Sequence, residues 1–174
     1  GLAGALPPAI GWAAATGSAP LNAWLMVLII FMWTPPHAWA LALYTSEDYA
    51  KVGVPMMPVA RGAASTRRQI FIYSLLFTPI CLIPAFTGLG GPAYLAVAAL
   101  GGVVFLVLAW RVFRSRAGDV HDERLEGEDR LYAVRAGAKD ARNLFAFSIL
   151  YLTLLFAALL GEHLLGVAPL ELLS

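Results

Sequence analysis

The polar residues of this chain are confined to the joints between long apolar stretches. Leu21 to Tyr44 is an uncharged, mostly apolar run of 24 residues. As a helix rising about 1.5 Å per residue, it outreaches the roughly 30 Å of hydrocarbon in a bilayer. Gln69 to Trp110 holds 42 uncharged residues, too many for one crossing, and Gly88-Leu89-Gly90-Gly91-Pro92 interrupts them where a tight turn belongs. A helical hairpin is therefore predicted over about 70–88 and 92–112, and a last span over 144–165. Residues 2–16 are apolar for only about half a membrane thickness and carry Pro7-Pro8 in the middle, which predicts a truncated or broken span. Gly17 to Pro20 turn the chain after it. The expected fold class is an all-α, polytopic transmembrane helical bundle with about four complete spans plus a partial N-terminal one, and loops at 45–69 and 113–143.

Composition agrees with that pattern. The chain is 60% hydrophobic and 13% charged over 174 residues, more apolar surface than a soluble domain of this size can bury. The single cysteine, Cys81, lies inside an apolar run, so no disulfide framework is available and a buried small hydrophobe is expected. The chain opens at Gly1 in mid-hydrophobic sequence with no basic leader, and is expected to be a piece of a longer protein.

Charge placement adds orientation. All twelve Lys and Arg fall between 51 and 68 or between 111 and 142, whereas the turns at 17–20 and 88–92 and the tail after Gly161 have none. Alternating spans put the two basic segments on one side, which the positive-inside rule makes cytoplasmic, or the matrix in a mitochondrion.

The candidate chemistry gathers in Trp33 to Arg68. A helix continued through Asp48 would place Trp33, His37, Tyr44 and Asp48 on one stripe. Pro35-Pro36 removes two backbone donors beside His37, a break tolerated where backbone faces protein or a polar cavity. An imidazole within a span points inward; it either bonds a neighbouring helix or contacts a substrate or metal. In the loop, Glu47 and Asp48 are oxygen donors of the kind that hold Mg²⁺ with substrate phosphates completing its shell. Lys51, Arg61, Arg67 and Arg68 can neutralise the remaining negative charge, and Gly53, Pro55, Pro58 and Gly62 turn the chain so that they converge. Ser65 or Thr66 is expected to cap the following helix, which would put Arg67 and Arg68 in its first turn, where a bound phosphate would offset the unfavourable helix dipole. Ordinary anchoring of basic residues at the headgroups explains the same cations without a ligand. Residues 115–140, with seven acids among their bases, read as a solvated segment, and His121 and His163 as surface residues.

The segments GALPPAIGW, TPPHAWALALYTSEDYAKVGVPMMPVARG, TRRQI and LFAFSILYLTLLF resemble the protohaem IX farnesyltransferases (haem O synthases), a branch of the UbiA-type intramembrane prenyltransferases. The resemblance is specific over residues 4–73 and 141–158. It implies a bundle of nine spans, of which this chain holds about the last four and a half. It also implies transfer of a farnesyl group from farnesyl diphosphate to a vinyl carbon of haem b, with Mg²⁺ and release of diphosphate. Carried onto this chain, it puts metal ligands at Glu47 and Asp48, catalytic roles at Asp48 and Lys51, and diphosphate contacts at Lys51, Arg61, Arg67 and Arg68.

Trp33, His37 and Tyr44, with Trp39, are the candidates for the acceptor pocket, core packing being the other reading for each ring; the rings could also steady an allylic cation. A haem contact or axial ligation is the sharper role for His37. The family's first Asp-rich loop has no counterpart here, since no acid precedes Glu47, so this piece alone is expected to be inactive. The implied setting is the bacterial inner membrane, or else the mitochondrial one. Haem A synthase or oxidase assembly factors are implied partners, and nucleic acid is not. A quinone- or chlorophyll-directed prenyltransferase and a transporter are the rival readings; a transporter would carry charges within its spans.

Overall fold

The computed structural model describes residues 2–45, 57–119 and 128–170. They form α1 (Leu2–Ala5), α2 (Pro7–Thr16), α3 (Leu21–Tyr44), α4 (Met57–Arg61), α5 (Ala63–Phe86), α6 (Pro92–Arg114) and α7 (Glu128–Leu164), and among the described residues there is no strand. By length and composition α3, α5, α6 and residues Tyr132–Leu164 of α7 can each cross a membrane.

Small departures from the sequence pattern have local causes. The break expected at Pro7-Pro8 is present, since α1 ends at Ala5 and the pair opens α2, where a missing N–H costs nothing; Gly17 ends α2 at φ 79° with its N–H on the Ala13 carbonyl. Pro35-Pro36 does not break α3, which remains helical on both sides of the pair. Helix α5 begins well before the apolar run, because Gly62 at φ 83° separates it from α4. Ser65 and Thr66 are therefore not caps. Thr66 is already inside the helix and its hydroxyl donates back to the Gly62 carbonyl at 3.0 Å. Arg67 and Arg68 fall beyond the first turn, which removes the dipole argument for a phosphate there. Helix α7 likewise begins sixteen residues before the expected 144, so much of 115–140 is helical.

The buried positions of α7 explain why it extends so far. Val134, Gly137, Ala141, Leu144, Ser148, Tyr151 and Leu155 are buried and alternate spacings of three and four, a seam along one face of the helix. Four of these positions precede or overlap the start of the apolar run. The seam, not hydropathy, sets the start of the helix.

By packing, the chain divides into two compact units, and each of α3, α5, α6 and α7 contributes a stretch to both. The first comprises Gly1–Thr34, Leu75–Val104 and Leu150–Ser174 and contains no Lys or Arg. Its centre is the fully buried trio Phe77, Tyr94 and Tyr151. Tyr94 donates its hydroxyl to the Cys81 carbonyl at 2.7 Å, and Tyr151 donates to the Ala98 carbonyl at 2.8 Å. Cys81 is fully buried, as its apolar run predicts. Gly101 and Gly102 make room for these contacts: a methyl group at 101 would lie 2.4 Å from the Tyr151 ring, and one at 102 would lie 2.6 Å from Thr78 Cγ2.

The α5–α6 turn in this unit is held from α7. Buried Glu162 accepts backbone N–H bonds from Gly91 (2.6 Å), Ala93 (2.7 Å) and Tyr94 (3.1 Å), satisfying donors that the start of α6 would otherwise leave open. An apolar cleft of about 550 Å³ lies beside it, lined by Trp12, Met26, Leu89, Phe156 and Leu160, with exposed His163 at its rim.

The second unit comprises Pro35–Ser74 and Phe105–Ile149, and all twelve basic residues of the chain belong to its segments. It carries the candidate site.

Candidate active site

The second unit is built around aromatic and polar contacts between α3, α5, α6 and α7. On α5, Phe71 stacks on Phe113 at 5.3 Å and meets Trp110 at the same centroid distance, while Arg114 lies 5.9 Å over the Trp110 ring. On α3, Trp39 meets Tyr73 edge to face at 5.2 Å. Those contacts give Trp39 a packing role.

His37 is fixed by α7. Its Nδ1 lies 2.7 Å from Ser148 Oγ, and its ring stacks on Phe145 with centroids 4.7 Å apart. Ser148 Oγ also sits 2.6 Å from the Phe145 carbonyl. The bond to a neighbouring helix that the sequence left open is present.

Trp33 and Tyr44 share helix α3 with His37 at offsets of four and seven. Trp33 is half-buried, and Tyr44 is 43% exposed. The buried line of α3 here runs through Pro36, Ala40 and Leu43, so the expected stripe flanks the packed face instead of lying on it.

Glu47, Asp48 and Lys51, the expected metal and diphosphate residues, lie outside the described residues, as does His121. Among the described residues no three His, Cys, Asp or Glu side chains gather to hold a metal. Arg61 ends α4 and is exposed, and Arg68 is exposed on α5.

Arg67 differs from both. It is buried, and its Nη1 donates to the Ala117 carbonyl at 2.6 Å and to Asp119 Oδ1 at 2.8 Å. Residues 115–119 are therefore not a solvated strand of loop; they form a turn docked on α5. Sequence reasoning missed Asp119 and Ser148. Ser148 had a signal, a lone hydroxyl on the three-four seam of an apolar helix. Asp119 had none, being 52 residues from its partner in a segment crowded with other acids.

The profile of the UbiA prenyltransferase family matches residues 1–125. The chain belongs to the UbiA prenyltransferase family. It is an integral membrane protein, as four apolar helices and membership of the UbiA family require. Among its relatives, a protoheme IX farnesyltransferase of Caulobacter vibrioides is 71% identical over 179 residues, covering 100% of this chain and 54% of that protein. Proteins of the same name from Maricaulis maris and Hyphomonas neptunium are 59% and 52% identical, each over about half of its own length. This UbiA chain thus spans about half the length of the curated relatives it matches. The Caulobacter alignment covers the whole chain, so residues 115–140 fall within the likeness. No solved structure matches.

Proposed function

We propose that this chain is the C-terminal part of a single transmembrane prenyltransferase domain whose complete form transfers a farnesyl group from farnesyl diphosphate to a vinyl group of haem b, giving haem O. The observation that carries the reading is 71% identity, over the full chain, to a relative named protoheme IX farnesyltransferase.

The chemistry asks little of nucleophilic side chains. The allylic C–O bond breaks with its electron pair leaving on diphosphate, and the vinyl π bond supplies the pair for the new C–C bond. The cation left on the acceptor is discharged by water with loss of a proton. The protein's task is to stabilise the departing diphosphate and to keep water from the allylic cation until it is captured. Arg67 suits the first part, since a buried guanidinium holds phosphate oxygens by directed bonds. Arg61 and Arg68, both exposed, raise the local concentration of the anion, and Lys51 joins them from the adjoining loop. Glu47 and Asp48 are the carboxylates that would hold Mg²⁺, and the catalytic roles fall to Asp48 and Lys51. When bound, Mg²⁺ supplies further neutralisation of diphosphate charge.

His37, held at Nδ1 by Ser148, is the contact for haem b, with Trp33 and Tyr44 on the same helix as lining residues. The basic segments face the cytoplasm of a bacterium by the positive-inside rule. Haem A synthase and oxidase assembly factors are the partners such a product calls for. Without the remaining half, the piece is inactive.

The acceptor decides between this and a quinone-directed enzyme. The full-length protein in lipid vesicles, given labelled farnesyl diphosphate with haem b or a quinone-type ring, will label haem b alone. Label entering the quinone ring and not haem would overturn the reading.

A further inference from the structure

We propose that Asp119 is a positioning residue for farnesyl transfer: with the Ala117 carbonyl it clamps Nη1 of Arg67, so that the opposite edge of the guanidinium is presented to the diphosphate of the prenyl donor. The proposal rests on the reading of Arg67 as a diphosphate contact.

A guanidinium carries five N–H donors in a rigid plane. Nη1 has two, and its two acceptors at 2.6 and 2.8 Å account for both. Nε and Nη2 hold the other three, along the edge that matches two oxygens of a phosphate. Among the described residues those three donors meet no acceptor, although Arg67 is only 8% exposed. No fully enclosed side-chain nitrogen or oxygen among the described residues lacks a partner, which fits an edge that those residues do not close over. A nine-tenths buried arginine, gripped at one corner and without an acceptor among the described residues at the other, is suited to an oxyanion.

The clamp is rigid because the turn carrying it is rigid. Ser115 Oγ donates to the Val112 carbonyl at 2.8 Å and accepts from the Ala117 N–H at 3.2 Å. Asp119 N–H closes the turn on the Arg116 carbonyl at 3.2 Å, with Gly118 at φ 78°. Ala117 is fully buried, and α7 backs it at Gly137, where an added methyl group would lie 2.4 Å from the Ala117 nitrogen and 2.8 Å from its Cα. The turn is therefore held between Arg67 on α5 and Gly137 on α7.

Asp119 also has an electrostatic cost, since its charge offsets that of Arg67 and weakens the pull on an anion. The two effects predict opposite outcomes, and the conservative variant separates them. In the full-length enzyme, KM and kcat for farnesyl diphosphate and KM for haem b are measured for Asp119→Ala, Asp119→Asn, Gly137→Ala and Arg67→Ala. Positioning predicts that Asp119→Ala raises KM for farnesyl diphosphate about tenfold, with KM for haem b unchanged. Asp119→Asn keeps an oxygen on Nη1 and recovers most of that loss. Gly137→Ala, which displaces the turn, shifts the same constant in the same direction.

A lower KM for farnesyl diphosphate in both Asp119 variants would show that the acid restrains Arg67, and would overturn the proposal. A fall in thermal stability with both KM values unmoved would reduce Asp119 to a structural contact, and would equally overturn it. Arg67→Ala distinguishes the two levels. If it raises KM for farnesyl diphosphate while Asp119→Ala does not, only the positioning role fails; if it leaves that KM unchanged, the diphosphate reading of Arg67 fails with it.

Discussion

His37 on α3 and Ser148 on α7 meet at 2.7 Å inside a stretch that is otherwise apolar, and the bond holds the imidazole by its Nδ1. Such a pair ties two helices together and at the same time aims a polar atom. If His37 contacts haem, His37→Ala in the full-length protein will lose at least about tenfold in haem affinity, and Ser148→Ala will lose less, because the ring remains but turns more freely. Haem titration followed by its absorption spectrum checks both. Unchanged affinity in His37→Ala would leave the histidine as a helix tie only.

Glu162 makes a different kind of tie. Its carboxylate takes three backbone N–H groups at the start of α6, and its own exposure is only 7%. Glu162→Ala is expected to cost on the order of 2 kcal/mol or more, since it leaves those donors without a partner in a closed site. Glu162→Gln, which keeps an acceptor oxygen, falls between. Thermal unfolding of the full-length protein in detergent reads the order, and equal midpoints for all three proteins would contradict it.

Gly101 tests how tightly the first unit is packed. Gly101→Ala drives a methyl group into the Tyr151 ring, whose hydroxyl is held by the Ala98 carbonyl, so the ring cannot simply swing away. A destabilisation of about 1–3 kcal/mol is expected, measured by the same unfolding assay. Gly11→Ala is the control, because nothing lies within 4 Å of a methyl group there.

Arg61 and Arg68 are exposed, and exposed charges act mainly at a distance through screened solvent. Replacing either with Gln is expected to raise KM for farnesyl diphosphate by no more than about threefold and to flatten its dependence on salt. The buried Arg67 should show the larger and less salt-sensitive loss. A reversed ranking would place diphosphate at the exposed cations.

Much of the fold is legible in the chain because a bilayer leaves few choices. Apolar length gave α3, the α5–α6 hairpin and the apolar part of α7, and the Gly88–Pro92 interruption marked the turn that Glu162 closes. What hydropathy could not show was packing. The seam through Val134 and Gly137 extends α7 into charged sequence, because a helix continues where small residues let another backbone approach, whatever its mean polarity. Pro35-Pro36 read as a break because two donors are lost locally, yet a helix within a bundle tolerates that loss. The site was legible to the level of residue type. Arg67 is one of four cations between 51 and 68, but only the fold shows that it, unlike Arg61 and Arg68, is buried, since its partner Asp119 arrives from another connection altogether.

In the proposed reaction one protein couples ionisation of farnesyl diphosphate to prenylation of haem. The direct measurement is the stoichiometry of diphosphate released and farnesylated haem formed by the full-length protein in lipid vesicles, with Mg²⁺ and after its removal by a chelator. The account predicts one diphosphate for each prenylated haem, both abolished by the chelator and restored by Mg²⁺. Diphosphate released without prenylated haem, or prenylation undiminished by the chelator, would contradict it.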